Sequence, residues 1–188
     1  AESDRLDASG ITADITANLS VNGSELPSGS LAPVMRLGKE FATLAVGDIV
    51  ALDRRSSTIR VLFRSHSSHN SFLVTERCDN YCVMCSQPPR DVDDGWIVDE
   101  LATLIPRIPT STREIGFTGG EPTLLGDRFI SLLTLCKEHL PDTTIHVLSN
   151  GRRFADPAFA RAWSDVQHPD LMVGIPVYGD VSTVHDFV

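Results

Sequence analysis

The chain lacks an excess of positive charge and any long hydrophobic run. It has 16 Lys and Arg against 25 Asp and Glu, which gives a net charge of −9. A protein that binds nucleic acid non-specifically normally carries a basic face, so the charge argues against a nucleic-acid partner. No run of about 18 apolar residues occurs, so no segment is predicted to span a membrane.

Cysteine is also scarce, with four residues in the chain, three of them in one short stretch. This usage favours a reducing compartment, the cytoplasm, over a secreted disulfide framework. The hydrophobic content of 41% is ordinary for a protein that buries a core. A length of 188 residues suits one large domain or two small ones.

The clustered cysteines form the most informative motif. Cys78, Cys82 and Cys85 follow a short apolar run with C-x3-C-x2-C spacing. Closely spaced thiolates of this kind hold iron–sulfur clusters. Three thiolates on one loop are one ligand short of a closed four-coordinate site, so the motif predicts a cluster with one open iron.

A structural zinc site is the main alternative. Zinc usually takes four Cys or His ligands, and His66 or His69, just upstream, could supply the fourth. The remaining cysteine, Cys136, lies in a helical pattern and is predicted to be a core residue. A disulfide explains the motif less well, because three clustered cysteines leave one thiol over.

A second motif, Gly119-Gly120-Glu121-Pro122, ends a short apolar run. Glycine lets the backbone approach a ligand closely, and proline fixes the direction in which the chain leaves. At the end of a strand, these residues would present backbone carbonyls and one carboxylate to a cationic group.

The chain from residue 67 onward is predicted to alternate strands and helices. The predicted strands are 72–74, 115–118, 145–149 and 171–177, and the predicted helices are 96–108, 127–140 and 157–163. Helical crossovers imply a parallel sheet, whose ligands bind at the carboxyl ends of the strands. The two motifs, with Ser149 and Asn150, should therefore lie at one edge of the sheet.

Residues 1–66 are predicted to form a small, mostly β module. Short β-prone runs occur at 13–21 and 42–46, and residues 49–52 and 58–63 are predicted to form a hairpin. The polar stretch 64–71 is typical of a linker.

The spacing of the cysteines, followed one βα unit later by Gly-Gly-Glu-Pro, resembles the radical S-adenosylmethionine (radical SAM) superfamily. The resemblance implies an α/β fold in which residues 72–188 form the first two-thirds of a partial (β/α) barrel. Two further βα units of that barrel are absent, so a fragment is expected.

The resemblance also implies two cofactors and a site for each. Cys78, Cys82 and Cys85 would hold a [4Fe–4S] cluster whose open iron chelates S-adenosyl-L-methionine. The residues expected around that cofactor are Gly119, Gly120, Glu121 and Pro122 at its amino group, Met84 near the adenine, and Ser149 and Asn150. An external electron donor would reduce the cluster, and reductive cleavage of the cofactor would lead to hydrogen abstraction from a substrate. Pro176 stands where many relatives carry a serine, so a cofactor contact there is not expected.

The wider stretch 75–89 is similar to the His-Xaa-Ser system radical SAM maturases. This similarity implies a ribosomally made peptide as substrate and a partner maturase. A radical SAM enzyme acting on a small molecule or another protein, and a non-catalytic zinc or iron–sulfur module, stay open as alternatives. The acidic run Asp91, Asp93 and Asp94 is expected only to solvate a loop, and Trp96 to anchor the start of a helix.

Overall fold

The protein is described by a computed structural model that covers residues 18–21, 34–37, 41–53, 56 and 58–187. In the N-terminal region, β1 (Asn18–Val21) pairs in parallel with β2 (Val34–Leu37). The strand predicted at 13–21 is confirmed over its last four residues, and the rest of it lies outside the described residues.

A β-hairpin follows, formed by β3 (Ile49–Asp53) and β4 (Thr58–Phe63), as the sequence predicted. The run 42–46 forms turns, which corrects the expectation of a β-prone segment. Its conformation is fixed by the Asp48 carboxylate, which accepts hydrogen bonds from the amides of Ala45 and Ser65 and from Arg64. Burial alone would raise the pKa of Asp48, but these hydrogen bonds bring it below its ordinary value.

The main sheet has four parallel strands in the order β5 (Asn70–Leu73), β6 (Glu114–Thr118), β7 (Thr144–Leu148) and β8 (Leu171–Gly174). The predicted parallel arrangement is confirmed. Two strand boundaries differ from the prediction by two or more residues. The first strand begins at Asn70, inside the expected linker. The reason is the Asn70 side chain, whose oxygen accepts from the Arg64 amide and whose nitrogen donates to the Arg64 carbonyl. The last strand ends at Gly174, two residues before Pro176, which has no N–H for a strand ladder.

The helices are α1 (Gly95–Leu104), α2 (Asp127–His139), α3 (Pro157–Val166) and the short α4 (Ser182–His185). The first ends earlier than predicted and continues as a 3-10 turn, Ile105–Arg107. Pro106 explains the change, because proline has no amide hydrogen for an α-helical bond. No helix in the described part of the chain is both long enough and apolar enough to cross a membrane.

The core lies between one face of the sheet and the helices. Phe72, Phe117 and Val147 are neighbours across three strands and are all buried. The ring of Phe117 packs 5.9 Å from that of Phe72 and 5.7 Å, edge to face, from that of Phe129 in α2. Because the helices cover this face, the loops at the carboxyl ends of the strands remain available for a site.

Candidate functional site

Three loops meet at the carboxyl ends of β5, β6 and β7. The cysteine loop follows β5, the Gly-Gly-Glu-Pro segment follows β6, and Ser149 and Asn150 follow β7. This is the edge of a parallel sheet at which ligands bind. The structure therefore brings the sequence-predicted residues to one place, as the strand pattern indicated.

The cysteine loop carries its three thiols in different environments. Cys78 and Cys82 are partly buried, Cys85 is exposed, and all are free of disulfides. The loop is closed by a hydrogen bond of 3.0 Å from the Cys85 amide to the Cys82 carbonyl. Burial raises the pKa of the Cys78 thiol, and the neighbouring negative charge of Glu121 acts in the same direction. A bound cation would reverse this effect, because metals bind the thiolate form.

Across the described ranges, no three His, Cys, Asp or Glu side chains are grouped so as to hold a single metal ion. An iron–sulfur cluster requires a different arrangement. Each cysteine thiolate binds a different iron, so the three cysteine sulfurs need not converge on one point. Three free thiols on one loop are the donor set that such a cluster takes. The residues therefore fit an iron–sulfur cluster better than a closed zinc site.

Both histidines of the zinc alternative, His66 and His69, precede β5, at the end of the strand opposite to the cysteine loop. His69 precedes this strand, and the cysteine loop follows it, on the order of 15 Å away at the rise of an extended strand. Its ring instead bonds to Ser71, at 2.7 Å, and pairs with Glu114, at 3.1 Å. These contacts argue against His69 as a fourth ligand.

Gly119 and Gly120 pack against residues 75–77, the root segment that leads into the cysteine loop. The Gly120 amide donates to the Thr75 carbonyl at 2.7 Å. A Cβ on Gly119 would lie 2.4 Å from the Thr75 oxygen, and one on Gly120 would lie 2.0 Å from the Arg77 oxygen. The glycines therefore make room for the root segment and not, as their sequence motif predicted, for a ligand. Their contact with a cofactor stays a prediction.

Glu121 is buried, with 1% of its surface exposed, and its carboxylate binds the neighbouring loops. One oxygen accepts from the amide and hydroxyl of Thr123 and, at 2.8 Å, from the Ser149 hydroxyl. The other accepts from the Asn150 amide at 2.6 Å. The carboxylate thus joins the loop after β6 to the loop after β7, in addition to any role it has toward a ligand.

The loop after β7 also reaches the middle of the cysteine loop. The Asn150 side-chain amide donates to the Asp79 carboxylate at 2.7 Å. Arg152 donates at 2.9 Å both to the Asp79 carbonyl and to the side-chain oxygen of Asn80. Sequence reasoning missed Arg152, for which the one available signal was its position just after the Asn150-Gly151 turn.

Asp94 corrects the expectation that the acidic run only solvates a loop. It is 3% exposed, and its carboxylate accepts from the Thr75 hydroxyl at 2.7 Å and from the Glu76 amide at 2.6 Å. The Arg77 side chain donates to its other oxygen at 3.2 Å. Burial alone would raise the pKa of Asp94, but these hydrogen bonds and the Arg77 charge hold it below its ordinary value.

The remaining predicted residues have varied surroundings. Met84 is 53% exposed on the cysteine loop, and Pro122 is buried at the start of a 3-10 turn. Trp96 stands at the start of α1, but 46% of its surface is exposed, which corrects the expectation of a hydrophobic anchor. The Arg60 guanidinium lies 5.3 Å from the centre of its ring. Tyr178 stacks on His185, with the ring centres 5.9 Å apart.

Comparison with known proteins gives one family match. The model of the radical SAM superfamily matches residues 72–179, more than half of the chain. No curated protein matches the sequence. A crystal structure of selenomethionine-labelled BtrN in an open conformation is similar, with a TM-score of 0.42 and 18% identity. The alignment covers 60% of this chain and 52% of BtrN, so the chain spans about half the length of that protein.

Proposed function

The chain belongs to the radical SAM superfamily, and from that premise we propose that it is a radical SAM enzyme whose substrate is a ribosomally made peptide. Members of the superfamily use a [4Fe–4S] cluster and S-adenosylmethionine. When bound, these groups supply one-electron cleavage of a carbon–sulfur bond, which leads to removal of a hydrogen atom from the substrate.

In this proposal each loop of the site has its own task. Cys78, Cys82 and Cys85 hold the cluster. The Gly119–Glu121 backbone and carboxylate, followed by Pro122, lie at the amino group of S-adenosylmethionine. Met84, Ser149 and Asn150 complete the surroundings of that cofactor. The protein thereby supplies orientation and exclusion of water, and the cofactors supply the chemistry.

The observation that carries the proposal is the direct bonding of the three loops to one another. The Glu121 amide donates to the Arg77 carbonyl at 2.8 Å, one residue before Cys78. The Glu121 carboxylate then binds Ser149 and Asn150. A metal site and a cofactor site joined in this way hold their ligands in a fixed relative position, which a reaction between the two ligands requires.

The peptide substrate is supported by the similarity of stretch 75–89 to the His-Xaa-Ser system maturases. The same similarity supports a partner maturase. An external electron donor is part of the proposal, because one-electron cleavage of the cofactor consumes an electron that side chains of the protein do not supply.

Anaerobic reconstitution with iron and sulfide tests the metal assignment. We expect about four irons per chain, the content of one such cluster. Cys78→Ala, Cys82→Ala and Cys85→Ala should each lower the iron content, and Cys136→Ala should leave it unchanged. Tightly bound zinc without iron would overturn the proposal.

The cofactor and the substrate are tested on the reconstituted protein. Glu121→Ala should weaken the calorimetric affinity for S-adenosylmethionine without removing iron. In a protein that carries this chain together with the two further βα units of the barrel, a peptide with His-Xaa-Ser repeats should acquire a change in mass in the presence of a reductant and the partner maturase, and a scrambled peptide should not. If the protein cleaves the cofactor, but adding a peptide changes neither the rate nor the products of cleavage, the peptide substrate is excluded and a small molecule is favoured.

A further inference from the structure

The root segment, residues 75–77, is held from two sides. On one side, the amides of Gly120 and Glu121 donate to its carbonyls. On the other side, the carboxylate of Asp94 accepts from a hydroxyl, an amide and a guanidinium of the same segment. Cys78 follows this segment directly, so its position depends on both sets of hydrogen bonds.

Asp94 lies at the N-terminus of α1, but its side chain does not cap the helix. It is the residue before α1, and its carboxylate makes no capping bond to the helix. Aspartate in this position usually accepts from an amide of the first turn. Here the carboxylate points away from α1 and toward the root segment, so its bonds serve the cysteine loop.

A second contact to the root segment differs from Asp94 in its exposure. Arg90 pairs with the Glu76 carboxylate at 2.6 Å, but two-thirds of its side chain is exposed. Exposed ion pairs contribute little. The bonds that the buried Asp94 carboxylate accepts from the Thr75 hydroxyl and the Glu76 amide are stronger in their low-dielectric surroundings. The Arg77 side chain is 43% exposed, so its bond to Asp94 contributes less.

We propose that Asp94 is a positioning residue for the cluster and its cofactor, fixing the root segment so that Cys78 and the Gly119–Glu121 backbone keep one relative position. This inference rests on the proposed function. Asp94 touches neither the thiols nor the Gly-Gly-Glu segment in the contacts described; it acts through Thr75, Glu76 and Arg77.

The expected effect of Asp94→Asn is a loss of cofactor affinity larger than the loss of iron. The amide side chain has one acceptor oxygen in place of two, so the Glu76 amide or the Arg77 guanidinium loses its partner. Replacing groups that orient metal ligands typically costs about 10- to 100-fold in metal affinity or activity. The three thiols stay on one loop in the variant, whereas S-adenosylmethionine needs the cluster and the Gly119–Glu121 backbone in one relative position, so we expect the cofactor to be affected more than the iron. We expect a loss in this range for S-adenosylmethionine.

The test compares wild type, Asp94→Asn and the matched control Asp93→Asn after anaerobic reconstitution. Asp93 is the exposed neighbour in the same acidic run, so the control makes the same change of charge one residue away. Three quantities are measured: iron per chain, calorimetric affinity for S-adenosylmethionine, and the change that this cofactor causes in the electron paramagnetic resonance spectrum of the reduced cluster. The thermal midpoint of each iron-free variant reports its folding.

A second pair of variants decides the outcome if Asp94→Asn does not fold. Thr75→Val removes, at nearly constant volume, the hydroxyl that donates to Asp94 and accepts from the Arg77 amide, and Thr75→Ser keeps that hydroxyl. We expect the valine variant to lose affinity and the serine variant to recover it.

The proposal is supported if Asp94→Asn, or Thr75→Val with rescue by serine, weakens cofactor binding while Asp93→Asn binds as wild type does. Wild-type affinity and spectra in both Asp94→Asn and Thr75→Val would overturn it. Equal losses in Asp93→Asn and Asp94→Asn would also overturn it, because they would report net charge alone. A wild-type protein that takes up neither iron nor cofactor would instead refute the proposed function itself.

Discussion

Among the cysteines, Cys136 differs from the other three in its surroundings. It is fully buried in α2, and burial raises its pKa to about 12. Since the thiolate is the reactive form, only about one thiol in 10⁴ would be ionised at pH 8. In the folded, iron-free protein we expect a thiol reagent to label Cys82 and Cys85 first, Cys78 more slowly because burial raises its pKa, and Cys136 only after unfolding. Mass spectrometry of labelled peptides checks this, and rapid labelling of all four sites in folded protein would contradict it.

Glu121 stabilises the junction of two loops, whatever else it binds. Glu121→Gln would place an amide donor against either the Asn150 amide or the donors of Thr123 and Ser149. Leaving a buried group unsatisfied costs about 1–3 kcal/mol. We expect a loss of this size in the free energy of unfolding of the iron-free protein, measured with urea. Glu138→Gln, at an exposed position of α2, is the control and should change little. Equal stability of both variants would show that the Glu121 bonds contribute nothing.

The sequence predicted some of these residues and not others, for a physical reason. Cysteine spacing along a loop is local, so the three thiols could be named without a structure. The role of Asp94 depends on a segment 17 to 19 residues earlier in the chain, which folds back to meet it. From the sequence alone, an acidic run is predicted to face solvent. The fold is needed to show that the earlier segment lies against Asp94. Arg152 was missed for the same reason, because its partners lie more than 70 residues away.

At the scale of elements, the predictions succeeded where hydrophobic periodicity was strong. The parallel arrangement of β5 to β8 and the burial of Cys136 in α2 were predicted from the sequence pattern alone. In the main sheet and its helices, the errors lie at element ends, where one residue decides the outcome. Pro106 changes the end of α1 into a 3-10 turn. Asn70 starts a strand in a polar stretch, because its side chain forms hydrogen bonds with the backbone amide and carbonyl of Arg64.

The β3–β4 hairpin makes two kinds of contact with the rest of the chain. Phe63 is buried in the core, whereas the half-exposed Arg60 pairs with Glu100 of α1 and lies over the Trp96 ring. Replacing a buried Phe by Ala costs about 3–5 kcal/mol, and an exposed ion pair is worth about 1 kcal/mol or less. We expect Phe63→Ala to lower the free energy of unfolding by several times more than Arg60→Ala. Equal effects in urea titrations would show that the hairpin is not held by apolar burial.

For the molecule as a whole, two buried aspartates connect folding stability to pH. Asp48 in the N-terminal region and Asp94 beside the cysteine loop both have a pKa below the ordinary value of about 3.9. A carboxyl group whose pKa is lower in the folded state stabilises that state above its unfolded pKa. This contribution disappears as the pH falls through the folded value. The iron-free protein should therefore hold its stability down to about pH 4 and lose it steeply below.

Asp48→Asn and Asp94→Asn should each be less stable than wild type at neutral pH and should lose less stability on further acidification. The double variant should show the flattest dependence, because the two sites lie in different parts of the chain and share no partner among the bonds described. Asp93→Asn, at an exposed position, should follow the wild-type curve. Urea titrations at several pH values between about 7 and 3 measure this. Curves of the double variant parallel to wild type would show that other carboxylates control the acid unfolding.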